Sequence, residues 1–106
     1  MPLNKSAAIR YRIIDACLNN KQRPFPTLEQ LAAVCSEKIG KEVSSSTIEK
    51  DISAMKRPHP HGFDAHIVYD RERKGYAYAE PGFSISDLAL EDKEWESLRY
   101  ASALLY

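Results

Sequence analysis

The stretch from Val43 to Arg57 constrains the fold of this chain more than any other. It opens on Ser44, Ser45 and Ser46 and then runs with helical periodicity. At about 100° per residue, Ile48, Ile52 and Met55 fall within roughly 60° of one another. Ser46, Lys50, Ser53 and Arg57 lie opposite. Ser46 stands three residues before Glu49, a capping-box spacing, and is the expected N-cap. Such a helix has one narrow apolar face to bury. Its other face is small, polar and basic. An ordinary solvated surface helix carries the same pattern, but so does a helix that enters a DNA groove. There, small residues let the backbone approach and Lys or Arg meet phosphates.

The flanking segments decide between these readings. A first helix is expected from about Ser6 to Asn20, with Ile9, Ile13, Ala16 and Cys17 in one apolar row and Tyr11, Ile14 and Leu18 in a second. Arg12 and Asp15 fall outside that stripe, and Arg10 lies at its edge, to snorkel or to pair with a carboxylate. Pro24 and Pro26 make the next segment a loop. Thr27 and Gln30 have capping-box spacing and begin a second helix bearing Leu28, Leu31, Ala32, Val34 and Cys35, with a left-handed end near Gly40. A short turn then leads into the 43–57 stretch. The order is that of a helix-turn-helix whose second member is the recognition helix.

Pro58, Pro60 and Gly62 predict a loop after Arg57. His59, His61 and His66 do not have zinc-ligand spacing, so no metal is expected, and His59 and His61 read as exposed. Residues 66–70 and 76–79 read as strands, with Gly75 as the positive-φ residue of the turn. Arg71, Arg73 and Lys74 crowd that tip with positive charge, as on a wing that contacts the DNA backbone or minor groove. Phe83 begins a short extended segment laid on the body. From about Glu91 a helical pattern returns, with Trp95, Leu98, Ala101 and Leu105 on one face.

Net charge is zero over the 106 residues, but it is unevenly spread. Residues 1–79 hold 13 Lys/Arg and 9 Asp/Glu, a balance of +4, and residues 80–106 hold 2 and 6, a balance of −4. A basic body with an acidic tail suggests two jobs in one chain. Nothing approaches the roughly 20 apolar residues of a membrane span. The first residues lack the apolar run of a signal peptide, making the cytoplasm the default compartment. Cys17 and Cys35 each sit in a helical apolar pattern and read as buried free thiols. There is no glycine-rich phosphate loop, activated nucleophile or convincing carboxylate pair, so the chain does not read as an enzyme and calls for no cofactor.

The residues resemble the N-terminal part of WYL-domain transcriptional regulators. Thr47, Ile48, Asp51 and Ile52 carry the most specific piece, with Tyr76, Tyr78 and the run Phe83, Ser84, Ile85 beside them. Residues 9–18 and 27–31 fit the same pattern, and the resemblance runs from about Asn4 to Tyr106. It implies a DeoR-like winged helix-turn-helix of a bacterial regulator, in a chain that stops before a WYL-type effector domain. Relatives often carry Arg where Ser46 stands. Asp51 matches the family pattern and is expected to pair with Arg10 or Arg12.

The expected architecture is mainly α with a small β-hairpin: three helices and a two-stranded wing, followed by a linker helix. Residues 1–80 form the DNA-binding domain and 81–106 the linker. Ser45, Ser46, Lys50 and Ser53 are expected to face the major groove, with Thr47, Lys56, Arg57, Arg71, Arg73 and Lys74 on phosphates. Trp95, Leu98, Ala101 and Leu105 supply a dimer or linker contact. The expected partners are double-stranded DNA and, in the full-length protein, a second copy. The alternative is a winged-helix protein-docking module, which Ser46 and Glu49 on the recognition helix favour.

Overall fold

The computed structural model describes residues 5–59 and 61–85. Three helices, α1 (Lys5–Leu18), α2 (Leu28–Ile39) and α3 (Ser45–Met55), precede a hairpin of β1 (Ile67–Asp70) and β2 (Gly75–Tyr78). The strands pair antiparallel with Ile67 opposite Tyr78 and Asp70 opposite Gly75. This is the expected winged helix of three helices and a two-stranded hairpin. The expected linker helix, with Trp95, Leu98, Ala101 and Leu105, lies outside the described residues.

The helices meet over one core in which Ile14, Leu31, Cys35, Ile48 and Met55 are fully buried. Tyr11 from α1 meets Phe63 edge-on at 5.7 Å, bringing the loop after α3 into the same core. The first apolar row of α1 is narrower than its periodicity suggests, because Ala16 is exposed. Asp15, expected outside the stripe, is instead buried, at 6% exposure. It accepts hydrogen bonds from the Tyr78 hydroxyl (2.6 Å), the Ser84 hydroxyl (2.8 Å) and the Ile85 N–H (3.0 Å). Those donors come from the strand and the segment after it, which satisfy the carboxylate that α1 turns inward. Phe83 packs on Tyr78 at 4.8 Å and Ile85 is in the core, so the packed body continues to residue 85.

Local chemistry sets the ends of α2. Thr27 Oγ1 accepts from the Gln30 N–H and the Gln30 side chain accepts from the Thr27 N–H, completing the expected box. Gly40 closes the helix in the left-handed region at φ 81°.

The α3 cap differs from expectation: it is Ser44, with Oγ accepting from the Thr47 N–H at 3.1 Å, not Ser46. The Ser36 hydroxyl explains the choice. It donates to the Ala32 carbonyl (2.8 Å) and accepts from the Val43 N–H (2.8 Å), tying the turn immediately before Ser44 to α2. Val43 and Ile48 then occupy the positions of a hydrophobic staple, with Ile48 in the core and half-buried Val43 packed against it.

The hairpin tip also differs. Lys74, at φ 57°, takes the left-handed step expected of Gly75. Gly75 is required for another reason: a Cβ there would lie 1.8 Å from the Phe25 carbonyl oxygen. The strand crosses the loop before α2 at backbone distance, and the Tyr76 N–H donates to the Pro26 carbonyl at 2.8 Å. The hairpin is thereby fixed to the helices through residues 25 and 26.

Candidate nucleic-acid interface

With Ser44 as cap, Ser45, Ser46 and Thr47 form the first turn of α3. The first N–H groups of a helix lack intrahelical acceptors; Ser44 takes that of Thr47, which leaves the Ser45 and Ser46 N–H groups as donors beside the hydroxyls of this turn. Ser46 is exposed; Ser45 and Thr47 are half-buried, and the Thr47 hydroxyl lies 3.0 Å from Ser44 Oγ.

Further along, Ser46, Glu49, Lys50, Ser53 and Arg57 line one open concavity on the outer face of α3. Their spacing of three, four and seven residues puts them on neighbouring turns of one face. On the inner face, Ile48, Asp51, Ile52 and Met55 are buried. Asp51 is held by Arg10, whose Nε and Nη2 donate to the two carboxylate oxygens at 2.6 and 3.0 Å. Of the two expected partners the structure selects Arg10. The hydrogen bond to Asp51 holds its guanidinium pKa above the usual value. This pair fixes the rotation of α3 about its axis relative to α1, so the polar face points away from the core.

Lys56, just past the end of α3, is exposed. Arg71, Arg73 and Lys74 are also exposed, on the turn between the strands. Asp70 shapes that turn, its Oδ1 accepting from the Glu72 and Arg73 N–H groups at 2.9 and 3.0 Å. The Arg73 guanidinium lies 4.7 Å over the Phe25 ring, a cation–π contact that orders this side chain. The tip cations form a second group that does not line the α3 concavity.

Two contributors have no clear sign in the sequence. Phe25 lies in a proline-rich loop and acts through backbone approach and ring stacking. Tyr76 makes an edge contact with Tyr69 at 5.2 Å. Its phenol pKa is raised, by burial first and then by the Glu49, Tyr69 and Glu29 groups. The charge of Glu49 is therefore felt at the hairpin.

A family model for the N-terminal winged helix domain of WYL domain-containing proteins matches residues 6–79. The chain belongs to this family. The match covers α1 through the end of the hairpin and so contains both polar groups of the winged helix. No curated protein and no solved structure gives a significant match. Membership in a regulator family of this type suggests a DNA-binding role for the winged helix. Among the described residues, no helix is long and apolar enough to cross a membrane.

Proposed function

We propose that this winged helix is a sequence-specific module for double-stranded DNA in a transcriptional regulator. In this reading α3 enters the major groove and the wing lies along the backbone. The observation that carries it is the outer face of α3, where Ser46, Lys50, Ser53 and Arg57 share one open concavity. Ser45, Ser46, Lys50 and Ser53 face base edges, and Thr47, Lys56 and Arg57 meet phosphates. Arg71, Arg73 and Lys74 add phosphate contacts from the wing. Residues 81–106 lead towards an effector-sensing domain in a protein acting in the cytoplasm, and Trp95, Leu98, Ala101 and Leu105 join two copies. Paired winged helices suit twofold DNA sites. The chain acts as a binding module and not as an enzyme.

Fluorescence anisotropy on a pool of random duplexes tests the reading. Binding should weaken steeply with salt, because each phosphate contact releases counterions. Lys50→Ala should change which duplexes are retained, whereas Lys74→Ala should weaken all of them about equally. Absence of binding at low salt would overturn the proposal. Sedimentation with and without residues 87–106 tests the dimer separately.

A further inference from the structure

Glu49 is an anomaly on a surface read as meeting a polyanion. It is exposed, it lines the α3 concavity with Lys50 and Arg57, and it makes no hydrogen bond or ion pair among the described residues. The other carboxylate of the helix, Asp51, is turned inward and taken up by Arg10. Lys50 is the next residue and so projects about 100° further round the helix, and among the described residues no ion pair joins the two. The effect of Glu49 on the Tyr76 phenol indicates that its charge lies towards the wing. A carboxylate is only an acceptor. Phosphates repel it, and on the floor of the major groove the donors are the cytosine N4 and adenine N6 amino groups. Adenine sets its N7 acceptor beside that amino group, where a carboxylate is repelled. The cytosine amino group has an acceptor, guanine O6, on one side only and a C5–H on the other, whereas the adenine amino group also has thymine O4 beside it.

We propose that Glu49 is a specificity-determining residue that accepts a hydrogen bond from the N4 amino group of a cytosine in the major groove. This rests on the DNA-binding reading above. Its chemistry complements Lys50, a donor suited to guanine O6 and N7. The helix then reads one base with an acceptor and another with a donor. Relative to a neutral residue, the carboxylate also weakens binding to sequences that lack the cytosine.

The test is selection from a random duplex pool by the 106-residue chain. Anisotropy titrations on the selected duplex and its single-base variants follow, for wild type, Glu49→Gln and Glu49→Ala. Because Glu49 is exposed and makes no hydrogen bond or ion pair, both variants should melt like wild type. Wild type should select cytosine at one position per half-site, and replacing that base should weaken binding roughly tenfold or more. Glu49→Gln should shift the preference to adenine, whose N6 and N7 suit an amide. Glu49→Ala should lose preference at that position alone. An unchanged preference in Glu49→Ala would overturn the assignment, as would a uniform rise in affinity for all sequences. Failure of wild type to bind any duplex at low salt would instead overturn the DNA reading itself, and this inference with it.

Discussion

Asp51 and Asp15 are both buried carboxylates that join α1 to another part of the molecule, and they are satisfied in opposite ways. Asp51 meets a guanidinium through two bonds, charge against charge. Asp15 is held by neutral donors: two hydroxyls, a backbone N–H and, at 3.4 Å, the Asn19 amide. The ion pair acts between two helices and sets how α3 is turned. The neutral shell acts where the chain leaves the wing and holds β2 and the following segment against α1. A buried pair loses much of its attraction to desolvation, yet removing one partner strands the other. A neutral shell spreads the charge over several dipoles, so the loss of one donor costs less.

Variants can break this contrast, beginning with the ion pair. Arg10→Met leaves Asp51 buried without a cation and should cost about 3–5 kcal/mol in urea unfolding. Arg10→Met with Asp51→Leu should recover most of that loss, and a double variant as unstable as the single one would contradict the ion-pair account. Asp15→Ala orphans its donors and should cost about 2–4 kcal/mol. Hydrogen exchange should then quicken at Ile85 and along β2 more than in α3. Tyr78→Phe removes one donor of the shell and should cost about 1.5 kcal/mol by the same measurement.

The smallest expected effect is that of alkaline pH. The Arg10 guanidinium is raised by Asp51, and the Tyr78 phenol is raised by burial first and then by Asp15, so both keep their protons. At moderately alkaline pH the two thiols matter most: burial raises Cys17, and it pushes Cys35 from 9.0 up to about 12. Each folded pKa is the higher one, so the contribution of each is full below pH 9 and declines as pH rises, for Cys35 towards 12. By pH 9.5 the loss from Cys35 should be about 0.8 kcal/mol, and Cys17 adds to it in the same direction. Wild type, Arg10→Met and Asp15→Ala should lose it in parallel when urea midpoints are compared between pH 7 and 9.5. A divergence would mean that one of the clusters titrates.

The same contrast explains what the sequence makes legible. The Thr27–Gln30 box and the Gly40 cap can be read because their partners are a few residues away. The Arg10–Asp51 pair is half-legible: Arg10 at the edge of an apolar stripe and Asp51 beside an apolar face invite pairing, but the sequence leaves Arg12 an equal candidate and only the structure selects Arg10. Asp15 gives no such sign, since neutral donors have ordinary reasons to exist and three of them lie 63, 69 and 70 residues away. The choice of Ser44 over Ser46 as cap turns on the Ser36 hydroxyl, which periodicity does not report. Gly75 reads as a turn glycine, although backbone crossing at Phe25 is what requires it. In the candidate site, the outer face of α3 and the charged wing tip follow from periodicity and composition. The stacking of Arg73 on Phe25 depends on two distant segments meeting.

The shell around Asp15 also has a consequence in time. Its carboxylate is made early, while the last of its donors, the Ile85 N–H, is added 70 residues later. At about 5–20 residues per second, the nascent chain carries Asp15 without that donor for roughly 4–14 s. The three helices are complete well before then. During synthesis, this winged helix therefore passes through an interval in which α1 is made but its inward carboxylate lacks the Tyr78, Ser84 and Ile85 donors, and that shell is completed only when the chain beyond the wing arrives.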